Sequence, residues 1–306
     1  MKTVMLTGAS GFIGRHCIPL LVKQGYEVHA LTSRKNLQGD RRVTWHTINL
    51  LDPDQVHKAM KLICPSHILH FAWYTKPGKY WSARENIQWL QAGLNLVQEF
   101  SAGGGERLVG AGTCAEYDWR FGYCSETITP LKPQTLYGIS KQSFHIITQE
   151  ILKTTNVSNA WGRIFFLYGP YEDRSRLVPS VINALLQGKS APCTTGEQIR
   201  DYLFVEDVAD AFVQLLDSQV TGPVNIASGK PVSIREIIEL IGTRIGHGDL
   251  IRYGHLLKPS SEAPFIVADN RRLLNEVGWR SQTDINTGID KTISWWKANI
   301  TEDKAI

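Results

Sequence analysis

Three side chains could share one proton-transfer task. Tyr137 and Lys141 stand four residues apart in Tyr137-Gly138-Ile139-Ser140-Lys141, and on a helix that spacing puts phenol and ammonium on the same face. A cation beside a phenol stabilises the phenolate and lowers its pKa from about 10. Tyr137 would then exchange protons near neutral pH. An exposed helical Tyr and Lys would satisfy the same spacing. Thr113, in Gly112-Thr113-Cys114-Ala115-Glu116-Tyr117, adds a hydroxyl that could hydrogen-bond a reacting carbonyl or alcohol, although a turn-capping Thr is equally compatible.

A second constellation opens the chain. Thr7-Gly8-Ala9-Ser10-Gly11-Phe12-Ile13-Gly14 follows an apolar run and precedes a helical pattern. In that context the first glycine allows a tight turn, the second a close approach to a pyrophosphate, and the third close packing of helix on strand. Free N–H groups at the helix start would face the phosphates. After the next strand stands Thr32-Ser33-Arg34-Lys35, with no acidic residue for a ribose 2′-hydroxyl. Ser33 and Arg34 suit a 2′-phosphate, which favours NADP(H) over NAD(H). Lys141 could also hold the nicotinamide ribose.

These groups need a scaffold. Thr3–Leu6, Glu27–Leu31, Thr44–Ile48, His67–Phe71, Leu108–Ala111 and Ala160–Leu167 read as strands, and Ile13–Gln24 and Leu136–Lys153 as helices. Ile87, Leu90, Leu94 and Val97 recur at helical steps, implying one buried face, and Gly103, Gly104 and Gly105 end that helix. Strand–helix alternation predicts an α/β protein: a Rossmann-type, doubly wound parallel sheet with helices on both faces. A boundary near Gly169 divides a dinucleotide-binding domain, 1–168, from a smaller mixed α/β substrate-binding domain, 169–306. Some segments of the second domain are expected to return to the first. Thr113, at a strand's C-terminal end, would face the cofactor crevice. Later helices are expected near Val178–Gln187, at Val205–Asp217 and around Ile289–Trp296, with a loop from Gly188 to Arg200.

Composition sets limits. The 306 residues are 42% hydrophobic and 20% charged, with a formal charge of +4, typical of a globular protein. The weak, dispersed basicity suits a small anionic substrate rather than nucleic acid. Five cysteines occur singly, without a CxxC pair, so neither a disulfide framework nor a metal site is expected, and a reducing cytoplasm fits. No apolar run is long enough to span a bilayer.

In this order the motifs make the chain resemble the extended short-chain dehydrogenases/reductases, in the branch of nucleotide-sugar epimerases, dehydratases and reductases. The resemblance runs almost end to end. It rests on TGASGFIG, His70-Phe71-Ala72, Asn86, Asn95, Thr113, YGISK, Arg163 through Gly169-Pro170, Arg200-Asp201-Tyr202, Val205-Glu206-Asp207-Val208, Asn225-Ile226-Ala227 and Val277-Gly278-Trp279. It implies that Gly8, Gly11, Phe12, Ile13 and Gly14 line a pyrophosphate. Asn49 and Leu50 would approach the adenine, and Ala72 would pass beside the cofactor. It also implies a nucleotide-diphosphate sugar between the domains, with Arg200 on its diphosphate and Arg174 and Arg176 in a nearby loop. Relatives are often homodimers, here through Ile87–Phe100 and Leu136–Lys153.

Departures narrow the chemistry. The 4,6-dehydratases follow the catalytic Thr with an Asp–Glu pair, where this chain has Cys114 and Ala115. Enzymes resembling the GDP-fucose epimerase/reductase place a Cys where this chain has Ala115. Many 4-epimerases have an Asn where this chain has Phe166. Phe166, Trp73 and Tyr74 suggest an apolar wall against a deoxysugar methyl group; Cys114 and Glu116 would adjoin the substrate, with Glu116 a possible extra acid or base. The leading expectation is an NADPH-dependent reductase of a nucleotide-linked 4-keto-6-deoxyhexose, with Tyr137 donating the proton, Lys141 tuning it and Thr113 polarising the carbonyl. The alternatives are a sugar-nucleotide 4-epimerase with tightly held cofactor and a non-catalytic dinucleotide-binding sensor or scaffold.

Overall fold

A computed structural model describes residues 2–34, 42–257 and 262–299; Lys35 lies outside them. Its first half runs β1 (Thr3–Thr7), α1 (Gly14–Lys23), β2 (Glu27–Thr32), β3 (Val43–Thr47), α2 (Pro53–Ile63), β4 (His67–His70), α3 (Glu85–Ala102), β5 (Arg107–Thr113), β6 (Tyr123–Cys124), α4 (Leu136–Leu152) and β7 (Ser158–Ile164). It continues with β8 (Phe166–Tyr168), α5 (Leu177–Leu186), β9 (Ala191–Pro192), β10 (Ile199–Phe204), α6 (Val205–Asp217), β11 (Gly222–Ile226), β12 (Pro231–Ser233), α7 (Ile234–Ile245), β13 (Ile251–Arg252), β14 (Phe265–Ala268), α8 (Arg271–Asn275) and α9 (Ile285–Asn299).

Seven strands form one sheet in the order β11-β7-β5-β4-β1-β2-β3, and every neighbouring pair is parallel. Both faces are buried. Apolar side chains of α1 and α6 pack with Val4, Leu6, Val28 and Val224 on one face, while those of α2, α3 and α4 pack with Met5, Ile68 and Leu108 on the other. This is the doubly wound Rossmann-type arrangement, and its strand order reverses beside β1, where such sheets open a ligand crevice.

Local chemistry starts the helices that matter. Asp52 caps α2 by accepting from the Asp54 and Gln55 N–H groups, with Pro53 at the first position, where its missing N–H costs nothing. Thr135 caps α4 by accepting from Gly138 N at 3.1 Å, which puts Tyr137 in the first turn.

Two expectations need correction. Ala160–Leu167 is not one strand: the chain leaves the large sheet after Ile164, and β8 pairs instead with β10 of the second, mixed sheet. A mostly apolar run cannot reveal which sheet its two halves join. Nor does Ile87 share the buried face of α3, for it is exposed. Asn86, Gly93, Leu96, Val97 and Phe100 are the buried residues there. Gly93 admits the Phe144 ring of α4, from which a Cβ would stand only 2.9 Å.

The chain returns to the first sheet late. The segment from Val205 to Ile226 contributes α6 and β11 to it, while β8, β10, β12, β14 and β6 make up the second sheet.

Candidate active site

The glycine loop is a cradle that side chains would fill. Gly8 sits at φ +68°, where a Cβ is strained, and such an atom would lie 2.9 Å from Ala72 N. A Cβ on Gly11 would lie 2.9 Å from Gly8 O, and one on Gly14 would press harder on the same oxygen. The backbone at Gly8, Gly11, Phe12, Ile13 and Gly14 can therefore approach a pyrophosphate, and the fit to a dinucleotide is good. Ala72 adjoins the loop, with its N–H donated to Thr7 Oγ1 at 3.2 Å.

At the end of β2, Ser33 and Arg34 are exposed. The Arg34 N–H donates to Thr32 Oγ1 at 3.0 Å, and the Thr32 and Ser10 hydroxyls share a 2.8 Å hydrogen bond. Sequence reasoning missed Arg15. It donates to the carbonyls of Gly11 and Ser10 at 3.1 and 2.7 Å and feels the charge of Arg34. Leu50 packs in the core, while Asn49 Oδ1 accepts from Leu51 N.

The reacting groups converge where β5 ends. Thr113 is buried, its hydroxyl accepting from Ala115 N at 3.2 Å, and it lies near enough to the Tyr137 phenol to favour its ionised form, against the larger effect of burial. The Tyr80 ring stands edge-on to Tyr137 at 4.9 Å and the Trp81 ring at 5.8 Å. Burial, with Tyr80 beside it, pushes the Tyr137 phenol well above its ordinary value, the opposite direction to the lowering expected from Lys141. The ammonium does share the helix face, but it donates to Ala111 O at 2.8 Å. Burial pulls Lys141 down to about 7.

The substrate-side residues separate into two groups. Cys114 is buried, its thiol pushed up by burial, and it senses the charge of Arg200. Arg176 sits just before α5, with its guanidinium 5.1 Å from the Tyr80 ring centre. Arg200 lies 5.3 Å over Phe166 and pairs with Glu262 at 2.9 Å, while Gln198 donates to the other Glu262 oxygen. Arg176 is thus linked to Tyr137 through the Tyr80 ring, and Arg200 lies near Cys114, the residue after Thr113.

Glu116 does not join them. Glu116 is fully buried, accepting from Thr113 N at 2.9 Å, Trp161 Nε1 at 3.0 Å and Arg163 Nε at 2.8 Å. Its carboxylate is engaged inside the protein, which corrects its assignment to the substrate. Trp73 is buried, its indole 4.0 Å from the Lys141 ammonium. Tyr80 and Trp81 are the rings packed against Tyr137. The repeated aromatics of Trp73-Tyr74-Thr75-Lys76-Pro77-Gly78-Lys79-Tyr80-Trp81 were the available signal. Asn86 accepts from Trp73 Nε1 at 2.9 Å.

Several comparisons bear on this geometry. A CDP-abequose synthase of Salmonella typhimurium is 27% identical over 303 residues, covering 95% of this chain and 97% of that protein. A dTDP-glucose 4,6-dehydratase of Neisseria meningitidis is 25% identical over 343 residues, covering 98% and 95%. Among solved structures, the UDP-glucose 4-epimerase of Thermotoga maritima with UDP-glucose shares the fold at a TM-score of 0.88 and 19% identity, over 97% of this chain and 99% of that one. A family model described as the NAD dependent epimerase/dehydratase family matches residues 4–227. With the glycine cradle and the Thr113–Tyr137–Lys141 set in place, the chain belongs to that family of NAD(P)-dependent enzymes, the extended branch of the short-chain dehydrogenases/reductases.

Proposed function

We propose that the protein is an NADPH-dependent reductase of a nucleotide-linked 4-keto-6-deoxyhexose. One observation carries this reading. The two positions after Thr113 are Cys114 and Ala115, and the nearby carboxylate, Glu116, is locked onto Arg163 and Trp161. A dehydration would need an acid and a base beside the sugar, whereas a ketone reduction needs only one proton donor and one polarising hydrogen bond. A relative spanning nearly the whole chain is named for CDP-abequose, a nucleotide-linked sugar, which supports the substrate class.

A reduced nicotinamide supplies the hydride when bound. The chain's own groups do the rest. Tyr137, kept protonated by burial, delivers its hydroxyl proton to the developing alkoxide. The Thr113 hydroxyl donates to the same oxygen. Lys141 has three N–H donors; one goes to Ala111 O, and the others are suited to the ribose hydroxyls. Ser33 and Arg34 hold the 2′-phosphate, with Asn49 and Leu50 near the adenine. Arg176 and Arg200 hold the sugar's diphosphate, Arg200 exchanging the Glu262 carboxylate for a phosphate oxygen. Phe166 and Cys114 shape the sugar end.

Residues 1–168, joined by the returning segment Val205–Ile226, act as the cofactor domain, and the rest of 169–306 as the substrate domain. Ile87 of α3 and Ile139, Ile146 and Ile147 of α4 are exposed, and they fit a homodimer face. No described helix is long and apolar enough to cross a membrane, and all five cysteines are unpaired, which suits the cytoplasm.

The test is nicotinamide absorbance against a panel of nucleotide-linked 4-keto-6-deoxyhexoses. Consumption of NADPH in preference to NADH is expected. No consumption with any ketosugar overturns the proposal, and sugar interconversion without added nicotinamide would make the protein an epimerase. Tyr137→Phe should lower turnover by roughly 10²–10⁴-fold while NADPH binding persists.

A further inference from the structure

Lys141 is 2% exposed, which is a costly place for an ammonium. Little compensates it. Ala111 O accepts one hydrogen bond at 2.8 Å. Glu116 on the turn after β5 supplies the favourable charge, but its carboxylate is shared with Arg163 of β7 at 2.8 Å. His70 of β4 also faces Lys141 and is held neutral, burial and the ammonium pulling it down to about 3. What lies closest besides Ala111 O is aromatic. The Trp73 ring centre is 4.0 Å from Lys141 Nζ, and the Trp161 ring centre is 5.9 Å away.

The Trp73 indole is fixed in that position. Its Nε1 donates to Asn86 Oδ1 at 2.9 Å. Asn86 is itself fully buried, and its Nδ2 donates to Tyr80 O at 2.7 Å and Ala83 O at 2.8 Å. Phe144 stacks with Trp73 at 6.0 Å. The β4–α3 connection, α3 and α4 therefore converge to present an indole face to one ammonium. An indole face attracts a cation strongly when the pair is desolvated.

We propose that Trp73, pinned by Asn86, is the positioning residue of Lys141: its π face holds the ammonium charged and aimed along the Ala111 carbonyl toward the cofactor crevice. Asn86 serves this function at one remove by fixing the indole's rotation. The proposal deepens the reductase reading, because it rests on Lys141 acting at the cofactor ribose.

The charge part can be tested without substrate. In protein labelled with [ε-13C]lysine, the Cε resonance of Lys141, identified by its loss in Lys141→Met, reports ionisation of Nζ. Trp73→Leu should lower its titration midpoint by about one pH unit, and Trp73→Phe, which keeps a weaker π face, by less. NADPH affinity, read by its fluorescence, should weaken in the same order. In turnover the alkaline limb of the kcat profile should move to lower pH in Trp73→Leu and be partly restored in Trp73→Phe. Should the Leu variant lose its fold by circular dichroism, the Phe variant decides alone. An unmoved Lys141 midpoint, with kcat merely scaled down, overturns the proposal and leaves Trp73 as packing. The two readings fail separately: native protein inactive on every ketosugar sinks the reductase, whereas an unmoved midpoint in a protein that oxidises NADPH sinks only the role of Trp73.

Discussion

Glu116 shows how a single residue can mislead a reading from sequence. A carboxyl three positions after Thr113 invites an acid–base role, yet the fold gives both its oxygens to Trp161 and Arg163. Arg163 in turn donates to the Tyr117 hydroxyl, which donates to Asn225 Oδ1 at 2.7 Å. Glu116→Gln should therefore act through stability, leaving the Arg163 guanidinium buried and unpaired at a cost on the order of 3 kcal/mol. Urea unfolding would measure it. A large loss of turnover with an unchanged midpoint would instead return Glu116 to the reaction. The spacing of Tyr137 and Lys141 was legible, because helix geometry alone sets it. The direction of the ammonium was not, since Ala111 and Trp73 meet it only through tertiary packing.

At the scale of elements, the parallel sheet was readable because burial on both faces leaves continuous apolar strands. The split between β7 and β8 was not, and neither were the short strands of the second sheet, which carry too few residues for any period. β5 shows a device that sequence only hints at. Its glycines at 110 and 112 look like strand weakeners, but a Cβ at either would strike the Trp161 ring. That ring lies against the strand and carries the donor for Glu116. Gly110→Ala should force the indole off its rotamer and cost roughly 1–3 kcal/mol. The check is a urea midpoint together with Trp fluorescence; an unshifted midpoint would mean that the ring yields freely.

Across the whole molecule, the two halves are joined by contacts between residues far apart in sequence. Arg107 at the start of β5 donates to Leu215 O, Leu216 O and Val220 O, closing the end of α6. Beneath the glycine loop, the Arg15 guanidinium stacks 3.9 Å over Tyr171, whose own ring meets Trp295 of α9 at 4.7 Å. Tyr171 holds φ +69°, a strained value for a bulky side chain, and the turn it makes carries the next residue inward. There the Glu172 carboxyl has a buried Oε2 without a hydrogen-bond partner. Burial pushes this acid from 4.5 up to about 8, against the pull of Arg176. Between those two values the folded chain keeps a proton that the unfolded chain has lost, so stability falls as pH rises through the window. Glu172→Gln, neutral at every pH, should remove this slope, by at most about 1.4 kcal/mol per pH unit. Urea midpoints for both proteins at pH 5, 7 and 9 give the answer as a difference. The native protein should lose ground to the variant as pH rises, and parallel curves would show that the Glu172 carboxyl ionises in an ordinary environment.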